Sequence, residues 1–182
     1  MNQKFTFNLA SQDPKRHLPS KVILGQQDTE SATHLALKLL AYLLFYSERL
    51  RIETRVPNDA VPFIPDLSEL DYELRPKLWV ECGECSVAKL HKLAVKAPDA
   101  EIWVVKRSQE EVEELKRAMR KEELRKDRYN LIGLDGETFE PIPGLIASRN
   151  QLFWSGGGFE PPELKFDLNE NWIELPFTLE RF

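Results

Sequence analysis

Polar and apolar residues alternate over positions 4–9 and again over 21–24, the period of strands with one covered face, and Pro14 and Pro19 punctuate the link between them. A hairpin-like start is expected. From Asp28 onward the period lengthens. Leu35, Leu39, Leu40, Leu43 and Leu44 form an apolar face wider than one stripe, which predicts a well-buried helix capped by Asp28 or Thr29 and reaching Tyr46. Residues 50–54 read as a strand, whereas Pro57, Pro62 and Pro65 make 56–65 a loop or extended chain. A strand at 77–82, a helix at 86–97 and a strongly apolar strand at 101–105 suggest a crossover unit with its last strand inside a sheet. Ser108 and Glu111 form a capping-box signature for a charged helix to Arg125, with Glu110, Glu111, Glu113 and Glu114 early and most basic residues late. Beyond Tyr129, short strands are expected at 131–134, 145–148, 151–154 and 172–175. No internal repeat is evident, and Gly156-Gly157-Gly158 is the one low-complexity spot.

Composition narrows the class. The 182 residues are 42% hydrophobic and 30% charged, too apolar for a disordered chain and too interrupted for a membrane protein. The longest apolar run, 39–46, falls far short of the ~20 residues a membrane-spanning helix needs. The N-terminus lacks the basic start and apolar run of a secretory signal, so a single soluble cytoplasmic α/β domain is expected, with no membrane partner. Two cysteines three positions apart cannot staple distant segments. A net charge of -5 argues against coating nucleic acid by bulk attraction, while leaving room for a local basic strip.

The candidate chemistry is acidic. Asp66 after Pro65 and Glu81 near a strand end could converge on one hard cation, which prefers oxygen ligands and can activate water beside a phosphodiester. Glu30, at the start of the first long helix, could lean over the same site. Lys89, Lys92 and Lys96 share one face of the 86–97 helix, opposite Val87, Leu90, Ala94 and Ala97, and could neutralise charge developing on a phosphate. Each feature also has a plainer reading: Pro-Asp is common in turns, a strand-end Glu is often solvated, and a lysine row is often a solvated helix face.

Pro65-Asp66-Leu67, then Leu78-Trp79-Val80-Glu81, then Gly83 and the basic helix together resemble the YaeQ family, a branch of the PD-(D/E)XK nuclease superfamily. Glu30 and Leu39-Leu40-Ala41-Tyr42 fit the family's first helix, and the terminal strands match more loosely. The resemblance covers most of the chain and is strongest between residues 28 and 105. It implies an α/β fold of the α+β mixed-sheet kind: a restriction-endonuclease-like core over about 28–134, with N-terminal strands at 1–27 and an added β-rich part at 135–182. It also implies Mg²⁺, with Mn²⁺ as substitute, held by Asp66 and Glu81, and DNA or RNA as partner. Where the superfamily pattern has a lysine two residues after the second carboxylate, this chain has Gly83, so the lysine would come from the helix, with Lys92 preferred and Lys89 next. A non-catalytic domain binding nucleic acid or protein on the same fold is the main alternative.

Cys82-Gly83-Glu84-Cys85 is the rival signal, since C-x-x-C between strand and helix is how thioredoxin-like enzymes present a reactive thiolate. Against it, the preceding Glu81 would raise a thiol pKa, and no proline stands at the usual distance to face the cysteines. Cys82, Cys85 and His91 give three zinc ligands where a structural site needs four. His17 and His34 read as structural or exposed. The run 116–128, with seven Lys or Arg against three acids, reads as a solvated helix in which Glu113 can pair with Arg117. Trp79 and Trp103 are expected in the core; Trp154 and Trp172 could be core or surface.

Overall fold

The computed structural model describes residues 3–57 and 61–182. The alternation at the N-terminus produces β1 (Gln3–Ser11) and β2 (Lys21–Gln26), an antiparallel pair that turns Phe5, Phe7, Leu9, Val22 and Leu24 inward. Helix α1 (Ala32–Phe45) follows, and its N-cap is Ser31, whose hydroxyl accepts the His34 N–H at 3.1 Å. The expected caps, Asp28 and Thr29, lie in the turn before it, closed by a 2.9 Å bond from the Glu30 N–H to the Gln27 carbonyl. Every residue of α1 from Leu35 to Leu44 is buried.

Strand β3 is short (Arg51–Ile52): Glu53 takes a left-handed φ of 43° and ends it, with one last bond from its N–H to the Asp66 carbonyl at 2.9 Å. The loop expected over 56–65 includes residues 58–60, which lie outside the described residues. It leads to β4 (Leu67–Leu70), which the sequence pattern does not mark. Then come β5 (Pro76–Cys82), α2 (Val87–Lys96), β6 (Glu101–Lys106), α3 (Gln109–Lys121) and β7 (Tyr129–Leu134), with β5, β6 and β7 parallel. This is the expected crossover unit, repeated once. Ser86 and Ser108 cap the two helices. The second ends four residues before Arg125: Glu123 turns left-handed (φ 51°) and Leu124 folds back, its N–H on the Met119 carbonyl at 3.0 Å and its side chain in the core. Glu113 pairs with Lys116, which also holds Glu180, instead of with Arg117.

The C-terminal part departs furthest from expectation. In place of a strand at 145–148 there are two single-turn helices, α4 (Gly136–Phe139) and α5 (Ile142–Leu145), and a turn held by Asn150, which bonds both polar backbone groups of Ala147. Strand β8 (Arg149–Phe159) runs through the glycine triplet, where the register slips. Gly157 has a φ of 111°, and a Cβ there would lie 2.2 Å from the Glu163 carbonyl oxygen, so only glycine fits this bulge. Strand β9 (Pro162–Leu168) is a further addition, burying Leu164, Phe166 and Leu168 in an alternation that Pro161 and Pro162 disguise.

Strand β10 (Asn171–Arg181) joins the two halves, pairing with β9 through residues 171–176 and with β7 through 177–181. All ten strands thus form one mixed sheet, in the order β2-β1-β8-β9-β10-β7-β6-β5-β4-β3. One core packs α1 against residues of both halves, including Phe7, Leu24, Val80, Trp154, Phe166 and Leu175. A second core, built on Trp79, Ile102, Val104 and Tyr129, lies under α2 and α3. Trp79 and Trp154 are fully buried, Trp103 is half-buried against Phe45 and Phe159, and Trp172 is exposed. No helix among the described residues is long and apolar enough to cross a membrane.

Candidate functional site

The carboxyl ends of the parallel strands β5 and β6 open beside the start of α1, the part of an open α/β sheet where helix N-termini and loops leave room for a ligand. Asp66 stands just before β4. Because Leu67 pairs with Val80 in the antiparallel β4–β5 ladder, Asp66 lies level with Glu81 on the next strand. One Asp66 oxygen accepts the Cys82 N–H at 2.7 Å, and the other lies 2.9 Å from His34 Nε2.

His34 is one turn into α1 and faces a second carboxylate, Glu30 Oε1, at 3.3 Å. Glu30, His34 and Asp66 therefore present ligand-type atoms all within 4.8 Å of one another. Burial lowers the pKa of His34, but its bond to Asp66 and the charges of Asp66 and Glu30 outweigh that and hold it above the ordinary histidine value. One turn further, the fully buried Lys38 donates to Glu30 Oε2 at 2.9 Å, Glu53 Oε1 at 2.7 Å and the Gly25 carbonyl at 2.9 Å, satisfying all three of its N–H groups. Burial lowers its pKa too, yet the two carboxylates more than compensate, so the amine stays charged.

Glu81 is only 4% exposed and stands beside that triad, outside its 4.8 Å circle. Trp79 Nε1 donates to one of its oxygens at 2.6 Å and Lys89 Nζ to the other at 2.7 Å. Burial pushes its pKa up, and the Lys89 charge and both donors pull it back only in part. Lys89 also lies 5.7 Å from the centre of the Phe63 ring. Gly83 has a φ of 71°, and a Cβ there would sit 3.4 Å from Leu37 and 3.5 Å from His34 Nδ1. Its carbonyl accepts Lys106 Nζ at 2.6 Å. A cleft of about 500 Å³ opens at the start of α1, lined by Glu30, Ser31, His34, Gly83 and Arg107.

Residues 2–154 match the family described as YaeQ protein. The chain belongs to the YaeQ family. Two solved structures of that name are similar to it. The YaeQ protein of Pseudomonas syringae has 18% identity, 98% of this chain and 94% of that chain covered, and a TM-score of 0.73. That of Xanthomonas axonopodis pv. citri has 19% identity, coverage of 98% and 97%, and a TM-score of 0.69. At these identities the likeness is one of fold. No curated protein matches the chain.

Within this family member, the residues singled out by sequence fall in two places. Glu30 and Asp66 meet across His34, while Glu81, level with Asp66 on the neighbouring strand, holds Lys89; of these four, Glu30 lines the cleft. Lys92 does not join them: it is exposed on the side of α2 that faces α3, in a separate cleft with His91 and Lys121. His34, read as structural or exposed, instead bridges two carboxylates, and Lys38, Glu53 and Lys106 were not marked at all. The signal for His34 and Lys38 is present in the chain: Glu30, His34 and Lys38 recur every four residues, leading from the turn before α1 onto an otherwise largely apolar helix. The cysteines lie close by but are poorly disposed to redox work. Burial pushes the Cys85 thiol up to about 12, and Cys82, fully buried beside Asp66 and Glu81, well above the usual thiol value.

Proposed function

We propose that this member of the YaeQ family is a divalent-ion-dependent phosphodiesterase acting on nucleic acid, with a PD-(D/E)XK-type centre. The observation that carries the reading is the register that sets Asp66, just before β4, level with Glu81 on β5, with a lysine amine on Glu81. The donor set suits a hard or borderline divalent ion such as Mg²⁺ or Mn²⁺: carboxylate oxygens predominate, and no thiolate is available. Asp66 and Glu81 would hold the ion, with Glu30 completing the acidic side. When bound, the ion would activate a water and polarise the phosphate. Asp66 is aimed by the Cys82 N–H and Glu81 by Trp79, so both are fixed before any ligand arrives. Lys89 would turn from Glu81 to the charge developing on the phosphate. Gly83 has a left-handed backbone that disfavours the lysine of the superfamily pattern, and in this reading the amine reaches in from α2 instead. The same chemistry, working on nucleic acid inside the cell, fits the cytoplasmic location expected from the sequence.

A second reading is favoured by the charge balance. Glu30 already has Lys38, Asp66 has His34 and Glu81 has Lys89, so the acids are compensated without an ion, as in a domain that binds nucleic acid or protein without cutting. Labelled DNA and RNA incubated with the protein, first without metal and then with Mg²⁺ or Mn²⁺, separate the two. Metal-dependent cleavage is expected, falling at least about 100-fold in Asp66→Asn and Glu81→Gln while their melting transitions persist, a loss at the upper end of what disturbing a metal centre costs. Equal cleavage by wild type and both variants would overturn the site. Binding with no cleavage under any metal would favour the second reading.

A further inference from the structure

We propose that His34 is itself an ion ligand, so that the centre takes a first-row transition ion, represented by Mn²⁺, in preference to Mg²⁺. The proposal rests on the ion site described above, though not on the site being hydrolytic. Two separate stretches supply the donors: Glu30 and His34 from the turn before α1 and its first turn, and Asp66 from the residue just before β4. This is not a chance cluster of surface acids. His34 Nε2 points between the two carboxylates, 2.9 and 3.3 Å away, and both carboxylates are anchored from behind, one by the Cys82 N–H and the other by the buried Lys38.

The missing lysine at 83 and the presence of His34 are two sides of one arrangement. A side chain at 83 would need the left-handed backbone that glycine tolerates, and the His34 ring and Leu37 pack at ordinary contact distance from where its Cβ would stand. A glycine backbone with an imidazole beside it thus occupies the place of the lysine. The ring faces Gly83 with Nδ1 and the carboxylates with Nε2, which leaves Nε2 as the nitrogen to meet an ion.

Chemistry then separates the ions. Mg²⁺ favours oxygen donors in a strict octahedron and gives up water reluctantly, whereas first-row transition ions accept imidazole nitrogen readily. Two carboxylates and one imidazole therefore give a transition ion a bond that Mg²⁺ uses poorly. The cleft of about 500 Å³ lined by Glu30 and His34 of the triad leaves room for water and for a phosphate on the ion's open side.

The decisive test is pulsed electron paramagnetic resonance of the wild-type chain titrated with MnCl₂. One saturable Mn²⁺ showing ¹⁴N coupling of the imidazole type is expected. In His34→Ala and His34→Gln the coupling should vanish and Mn²⁺ affinity should fall at least about tenfold, the smallest loss typical of a disturbed metal centre, with Mg²⁺ competition changed far less. Saturable Mn²⁺ without nitrogen coupling, coupling that persists in His34→Ala and so comes from His17 or His91, or no saturable binding would each overturn the proposal. If the His34 variants fail to fold, a wild-type spectrum without nitrogen coupling still overturns the proposal, and coupling retained in His17→Gln and His91→Gln assigns it to His34. Nitrogen coupling in a chain that cleaves nothing would sink the hydrolytic reading alone. Mg²⁺-driven cleavage by a chain that binds Mn²⁺ through oxygen only would sink this one alone.

Discussion

Helices α1 and α3 differ by one residue in length and share little else. In α1 every position from Leu35 to Leu44 is buried, because residues from both halves of the sheet, together with α5, pack around it. In α3 only Val112, Leu115 and Met119 are buried, and the remaining faces carry charge into solvent. A charged residue on α3 is therefore what an amphipathic surface helix ordinarily shows. On α1 it is an exception that must be compensated, since burying an unpaired charge costs several kcal/mol. Lys38 is such an exception; with His34 one turn earlier and Glu30 just before the helix, it is joined to Glu53 and Asp66. The candidate site is where the buried helix α1 turns polar.

That contrast is open to direct attack. The largest effect is expected from Leu40→Ala or Leu43→Ala on α1, which leaves a cavity between both halves of the sheet and should cost about 2–5 kcal/mol in chemical denaturation. A loss below about 1 kcal/mol would mean that α1 is less clasped than its burial indicates. Next comes Lys38→Met, which removes the shared partner of Glu30 and Glu53. Both carboxylates keep some contact with solvent, so a loss of about 1–3 kcal/mol is expected by the same measurement.

A smaller effect should follow pH. The folded pKa of His34 is raised, so its bridge to Asp66 and Glu30 stabilises fully below the unfolded value of about 6.5 and is lost as pH rises through the folded value. In EDTA, the gap in Tm between wild type and His34→Ala should therefore be wider at pH 6 than at pH 9. A gap that is constant or widens toward pH 9 would contradict the bridge. The smallest effect belongs to α3: Arg117→Ala, on its exposed face, should change stability by no more than about 0.5 kcal/mol. A larger loss would erase the distinction between the helices.

Much of the frame could be read along the chain. Local alternation and capping marked β1, β2, β5, β6, α2 and the start of α3, because their signals come from residues close in sequence: Ser86 to Lys89, Ser108 to Glu111 and the apolar run of β6. The C-terminal part was harder. In β9 two prolines hide a regular alternation, and in β8 the glycine triplet looks like a break although it is a bulge within a long strand. The site was legible as a list of acids and one basic helix. Its membership was not, because spacing puts Lys89 and Lys92 on the same face while only the strand beneath decides which of them meets Glu81.

The residues alone thus determined the periodicity, the caps, the α/β class and the acidic character of the centre, all consequences of contacts within a turn or a strand. Tertiary structure alone decided that β10 would bind two half-sheets into one, that α1 would be enclosed, and that His34 would turn toward Asp66, 32 residues away. The physical reason is range. Hydrogen-bonding period and capping act between near neighbours, whereas the partner of a buried charge is chosen by whichever distant strand the fold carries to it.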